Sequence, residues 1–372
     1  MEPTKRQNRS SPFADELRVE IAERGPVTFA WFMEQALYQP EHGYYSSGRA
    51  RIGRKGDYFT SVSLGPLFGK MMAMQFAEIR ELLGATDAFT IVEQGAHDGQ
   101  FARDVLEHLD VRYLIIEPSA KLRERQAETS SGFRIEWRES LDDLEPFVGV
   151  HFSNELIDSL PVHVVKWTGN EWLERRVGLT NDHFQLLDWP ISDQELVAKI
   201  PQPLPAGYET EARPAARRWI ETLANKLTRG FVIAADYGFA RDEFYAPHRT
   251  RGTLQSYAEH TTNDDPLQRV GEADITAHVE WTSLAEHAIG SGLQLAGFTD
   301  QHHFLTGLLN EELTADAQNT RALQTLIHPG FLGTKFQFLV LAKKVDPAIR
   351  LRGLRFARDA ATALSLGRAE PD

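Results

Sequence analysis

The chain of 372 residues has no cysteine, little basic charge and no long apolar run. Without cysteine there can be no disulfide framework, thiol nucleophile, thiolate zinc site or iron–sulfur cluster. Lysine and arginine total 40 against 53 aspartates and glutamates, a formal net charge of −13. That deficit argues against a general nucleic-acid binder, which needs surplus Lys and Arg to neutralise phosphates. No apolar stretch approaches the roughly 20 residues that span a bilayer. The stretch from Met1 to Ser11 is polar and has no apolar signal core, so a cytoplasmic protein is expected. With 42% apolar and 25% charged residues, the composition is that of a globular protein.

The spacing of apolar residues changes along the chain. From Pro12 to about Ala85 it is mostly helical. Phe29, Phe32, Met33, Ala36 and Leu37 follow Thr28, a suitable N-cap, and a second helix runs from about Leu64 to Leu83. Short apolar strands then alternate with helices. Strands are expected at Phe89–Glu93, Tyr113–Glu117, Phe133–Glu136, Val148–Phe152 and Phe231–Asp236, with the sheet ending at Leu295–Phe298 and Lys335–Leu341. Such alternation predicts a largely parallel sheet covered on both faces. Val162–Trp167 and Trp172–Leu179 flank Thr168-Gly169-Asn170, a hairpin signal. Gly238 to Asp274 reads as a long loop, and residues after Val345 as a basic helical tail. The expected organisation is a helical cap over 1–85, a main domain over 86–345 with a β-rich insertion at about 160–214, and a tail over 346–372.

The sharpest local signal is Glu93-Gln94-Gly95-Ala96-His97-Asp98-Gly99, between the first strand of the alternating region and its helix. Glycines there let the backbone turn tightly and approach a ligand. Glu117 lies 24 positions after Glu93, at the end of the next strand. A carboxylate so placed can accept hydrogen bonds from both hydroxyls of a ribose. The constellation fits a nucleoside cofactor. The dinucleotide pattern Gly-x-Gly-x-x-Gly is missing, whereas an acid at the end of the first strand suits the cationic end of S-adenosylmethionine. A glycine turn that binds nothing is the third possibility.

A longer series of motifs narrows the choice. In order, the chain carries Pro40-Glu41-His42-Gly43-Tyr44-Tyr45, Gly56-Asp57-Tyr58-Phe59-Thr60-Ser61, Glu117-Pro118-Ser119, Asn154-Glu155-Leu156-Ile157-Asp158-Ser159-Leu160-Pro161, Asp236-Tyr237-Gly238 and Gly271-Glu272-Ala273-Asp274-Ile275-Thr276. Together these resemble the MidA-type family of S-adenosylmethionine-dependent methyltransferases, whose mitochondrial members are complex I assembly factors that methylate a protein arginine. The chain departs from the family loop at Ala96 and His97, which stand where a proline and a glycine are usual.

The resemblance implies an α/β, Rossmann-like class I methyltransferase sheet of seven strands, with a helical N-terminal cap and a β-rich insertion. It implies S-adenosylmethionine as cofactor and a protein substrate, with arginine as acceptor. Thr60, Ser61, Glu93, Gly95, His97, Gly99, Glu117 and Asn154 are the candidate cofactor residues, and Asn154, Glu155 and Asp158 the candidate catalytic ones. Tyr44 and Tyr45 read as packing residues, and the histidines show no metal-ligand spacing, so no metal is expected. The oligomeric state stays open, a dimer included. The competing reading is an assembly or interaction protein that keeps the fold without the catalysis, motivated by the altered loop.

Overall fold

A computed structural model describes residues 11–48, 61–85, 88–258, 261–263, 265–311, 313 and 317–367. The chain opens with α1 (Pro12–Arg24), β1 (Val27–Thr28) and α2 (Phe29–Tyr38). The hydroxyl of Thr28 caps α2 by accepting from the amide of Trp31 at 3.2 Å. Then come α3 (Leu67–Leu83), β2 (Phe89–Gln94), α4 (Gln100–Leu106), β3 (Arg112–Ile116), α5 (Ala120–Thr129), β4 (Ile135–Arg138) and β5 (Phe147–Asn154). An antiparallel group follows: β6 (His163–Trp167), β7 (Trp172–Thr180), β8 (His183–Pro190) and β9 (Tyr208–Ala212). After α6 (Pro214–Lys226) and β10 (Leu227–Phe239) come α7 (Arg241–Phe244), β11 (Gln255–Ala258), β12 (Thr261–Asn263), β13 (Asp274–Thr276) and β14 (Val279–Glu280). The remaining elements are α8 (Trp281–Gly290), β15 (Gln294–Asp300), α9 (Gln301–Leu308), α10 (Ala317–Ile327), β16 (Phe336–Lys343) and α11 (Ala360–Ala363).

The main sheet has the order β15-β16-β10-β5-β2-β3-β4, with β14 adding a short parallel pairing to the end of β10. β4, β3, β2, β5 and β10 are parallel to one another, while β16 runs antiparallel to both β10 and β15. This is the expected Rossmann-like α/β sheet. Alternate residues supply its two faces, as the two-residue period of a strand demands. Ile91, Phe231, Ile233, Phe338 and Val340 pack with α3, α4 and α9. Val92, Val232, Ala234, Leu339 and Leu341 pack with α6 and α8 on the other side.

A separate antiparallel sheet is built on β7. β6 and β1 pair with different stretches of it, β8 runs beside it, and β9 pairs with β6. The helices α1 and α2 bury Phe13, Leu17, Phe29, Phe32 and Met33 against Val162, Val164 and Val177 of this sheet. The long loop expected over 238–274 instead contains α7 and the small antiparallel sheet β12-β11-β13. Those elements are three or four residues long, too short to leave a readable period. Among its described residues the tail likewise holds a 3-10 turn at Arg352–Leu354 and the single turn α11, rather than a long helix.

Where β2, β5 and β10 lie side by side, the sheet has no room for side chains at two positions. Gly149 (φ 148°) and Gly230 (φ 137°) are register partners. A Cβ on Gly149 would sit 2.0 Å from the carbonyl oxygen of Thr90, and one on Gly230 would sit 1.9 Å from that of Gly149. We expect Gly230→Ala to lose about 2–6 kcal/mol, from adverse backbone conformation and overpacking together. Gly290→Ala, whose new methyl would meet nothing within 4 Å, is the control and should be neutral or slightly stabilising. Urea midpoints of the two variants check the contrast.

Candidate active site

The carboxyl ends of β2, β3, β5 and β10 meet at two adjoining cavities, of about 280 and 860 Å³. In parallel α/β sheets this end of the strands is where ligands bind. The smaller cavity is framed by the loop after β2. Gly95, His97 and Gly99 in turn adopt positive φ, at 83°, 47° and 83°. A histidine thus takes the left-handed conformation that a glycine would take more easily, so the backbone keeps the tight course of a ligand-binding turn. His97 itself lines the cavity.

Glu93, at the end of β2, is 4% exposed and accepts a hydrogen bond from the Tyr113 hydroxyl at 2.7 Å. Burial pushes its pKa up to about 8, against which the Tyr113 bond works in the opposite direction. Glu117 follows β3 and is also buried. Its Oε1 accepts from the amide of Ser119 at 2.9 Å, and its Oε2 from Gln126 Nε2 at 3.1 Å. The same Nε2 donates to the carbonyl of His97 at 3.0 Å, and Gln126 Oε1 accepts from Trp137 Nε1 at 2.9 Å. Gln126 therefore ties the β2 loop to the acid after β3. It carries no motif of its own. Its side chain is fully buried on the otherwise polar α5, a fact that the residue order does not disclose.

Asn154 and Glu155 stand at the end of β5. Asn154 lines the smaller cavity, donates to Glu155 Oε1 at 2.9 Å, and leaves its own buried Oδ1 without a partner. Glu155 has φ 53° and lines both cavities, as does Tyr45 from the N-terminal segment. Tyr45 is thus a partition residue and not merely packing. Glu155 also accepts from Tyr237 at 3.4 Å. Burial, and then the charge of Asp236, raise its pKa to about 8.

The other candidates are placed differently. Asp158 lines only the larger cavity, where burial and the neighbouring Asp236, Asp274 and Glu155 drive its pKa well up. Gly99 is not in either wall. It packs on α5, where a Cβ would come 3.1 Å from Gln126 Cα. The Ser61 hydroxyl is buried and donates to Gln301 Oε1 at 2.8 Å, so it is committed to the core, while Val62 and Ser63 beside it reach the smaller cavity. Thr60 lies outside the described residues.

The residues of the smaller cavity fit S-adenosylmethionine. Both oxygens of Glu117 hold one donor each, which leaves acceptor capacity for a ribose diol. The orphaned Oδ1 of Asn154 calls for a further donor. Ile116, Leu122 and Leu156 supply apolar walls for a base. Among the described residues, no group of three metal-ligating side chains is gathered, and no helix is long and apolar enough to cross a membrane.

Comparison with known proteins agrees. A family model described as "Putative S-adenosyl-L-methionine-dependent methyltransferase" matches residues 71–299. The Homo sapiens mitochondrial protein arginine methyltransferase NDUFAF7 is 28% identical over 95% of this chain and 88% of its own length. Its Drosophila melanogaster homolog is 27% identical, covering 92% of this chain and 89% of the relative. A crystal structure of a Burkholderia thailandensis superfamily member, bound to S-adenosyl-homocysteine, superposes with a TM-score of 0.85 at 30% identity. That match covers 94% of this chain and 96% of the solved one. The expected cytoplasmic location is corrected by the curated relatives, which are mitochondrial proteins. It rested on a polar start without an apolar core, and that feature does not distinguish the cytoplasm from a compartment reached by other signals.

The buried Glu93 and the half-buried Glu155 make stability depend on pH. Glu93 and Glu155 rise from 4.5 to about 8 on folding, so their stabilising contribution is complete below pH 4.5 and is lost as pH rises through 8. The buried His151 and His278 titrate at about 3 and 4 and do not affect the upper part of that range. The ligand-free protein should therefore melt at a lower temperature at pH 8.5 than at pH 6.5. Glu93→Gln, which cannot ionise, should reduce the fall. A wild-type midpoint that holds or climbs over this range would contradict the assignment.

Proposed function

The chain belongs to this family of S-adenosylmethionine-dependent methyltransferases, and from that premise we propose that it methylates an arginine side chain of a protein. The observation that carries the reading is the wall between the two cavities. Glu155 stands in it, facing the cofactor side and the larger cavity at once. The larger cavity also exposes Asp158 and Asp274, and Asp236 lies just behind. The cation packed against these acids is the half-buried Arg213, whose guanidinium donates to the carbonyls of Ile157 and His278, while Lys335 lines the cavity from an exposed position. The acids outnumber it; Asp236 and Asp274 raise the pKa of both Glu155 and Asp158, and Glu155 raises that of Asp158. A cationic side chain entering the cavity supplies the missing positive charge. The names of the curated relatives, protein arginine methyltransferases, point to the same acceptor.

Each group then has a task. The bound cofactor supplies an activated methyl group on a sulfonium. Glu93, Glu117 and Asn154 hold it, with Gly95 and His97 as the backbone rim. Glu155, in its ionised form, accepts hydrogen bonds from the guanidinium and orients one nitrogen toward the cofactor side. Asp158 helps to disperse the charge. The N-terminal cap within 1–85 and the insertion at about 160–214 form the wall that meets the protein substrate. Tyr38 and Tyr45 close the small cavity against water, which strengthens the polar contacts inside.

Calorimetric titration with S-adenosylmethionine, and transfer of radiolabelled methyl to proteins of a strain lacking this chain, test the proposal. Label is expected in methylarginine after hydrolysis. Glu155→Gln should lower kcat/KM by about 10²–10³-fold while leaving cofactor affinity unchanged, whereas Glu117→Ala should weaken the cofactor. Wild-type kcat/KM should climb toward a plateau above about pH 8 as Glu155 loses its proton. Label confined to residues other than arginine would refute the acceptor.

A further inference from the structure

Among the acids of the larger cavity, Asp274 has so far only contributed charge. It begins β13, is 1% exposed, and lines the cavity. The hydroxyl of Tyr45 donates to its Oδ1 at 2.7 Å. The segment after β13 is fastened to the loop that carries Asp158, because the amide of Ala277 donates to the carbonyl of Asp158 at 2.9 Å. Asp158 is 6% exposed, and its Oδ1, also buried, has no hydrogen-bond partner. A buried polar oxygen at a cavity wall carries a free-energy cost until a donor reaches it. Asp236 differs from this pair. Its carboxylate receives the backbone amides of Ile157, Asp158 and Tyr237, and it does not line the cavity. It shapes the loop, whereas Asp158 and Asp274 face the space.

We propose that Asp274, paired with Asp158, is a specificity-determining carboxylate that makes the larger cavity select a guanidinium over an ammonium group. This inference rests on the arginine reading above. A guanidinium presents five donors in a rigid plane and can join carboxylates along more than one edge. An ammonium is a compact, strongly hydrated point charge whose three donors fan out from one atom and cannot lie along two carboxylates in one plane. Glu155 alone can orient either cation. Asp158 and Asp274 add the second set of acceptors that only the planar fork can use together with the first. Tyr45 sets the rotamer of Asp274 and borders the cofactor cavity, so the acceptor edge is built from the same residue that closes the cofactor site.

The test uses the full chain saturated with S-adenosylhomocysteine, titrated by NMR with N-acetyl-arginine methylamide or N-acetyl-lysine methylamide. The wild type should bind the arginine probe at least tenfold more tightly than the lysine probe. Asp274→Asn keeps an oxygen for Tyr45 and removes the charge. It should bind the arginine probe about tenfold more weakly, with lysine and S-adenosylhomocysteine affinities unchanged. Unchanged arginine affinity, or an equal loss for both probes, overturns the proposal. Should Asp274→Asn fail to fold by circular dichroism, Tyr45→Phe takes its place, with about a threefold loss of arginine affinity expected and no loss overturning the proposal. A wild type that binds neither probe also overturns it. The acceptor reading falls separately, when radiolabel from the wild-type reaction is absent from arginine.

Discussion

The site depends on keeping carboxylates out of water without giving each a cation. Glu93, Asp158 and Asp274 are buried, and Glu155 half-buried, at the ends of strands or in the loops beside them, where an ionised acid is costly. The fold tolerates this by distributing hydrogen bonds. Tyr113, Asn154, Tyr237 and Tyr45 each donate to one of these acids, and Asp236 is held by three backbone amides. The result is a region short of positive charge in the empty protein. Both parts of the proposed reaction use that shortage, since S-adenosylmethionine and a guanidinium are each cationic where they meet these residues.

Much of this was readable from residue order. The apolar alternation of Phe89–Glu93, Tyr113–Glu117 and Phe231–Asp236 marked the sheet because a strand buried on both faces leaves a continuous apolar run. The glycine-rich turn after β2 and the acid after β3 were legible as neighbours, and both line the smaller cavity. The residue pair Asn154-Glu155 was legible only through the resemblance, since an Asn-Glu pair after a strand has no periodic signature.

What escaped was long-range. Gln126 lies nine residues after Glu117 and joins it to the β2 loop, but nothing in the polar run of α5 separates it from its solvated neighbours. Tyr45 and Asp274 are 229 positions apart, and their hydrogen bond exists only because the N-terminal segment folds over β13. Ser61 was misplaced for a related reason. A serine before a helical turn looks like a cap or a ligand donor, yet its partner Gln301 comes from the opposite end of the chain. The elements between residues 238 and 274 were missed because strands of three or four residues take their conformation from their neighbours.

The pairing of β1 with β7 bears on how the molecule is made. Val27 and Thr28 join Val177 and Arg176, and α1 and α2 bury their apolar faces on the same sheet. The first helices of the chain therefore have no partner until roughly 150 further residues have been synthesised. Until β7 exists, Phe13, Phe29 and Phe32 lack the sheet on which they pack in the folded chain. Closing a contact over that distance costs chain entropy that forming a local helix does not, so the folded position of α1 and α2 is a long-range property of the chain and not of its opening residues.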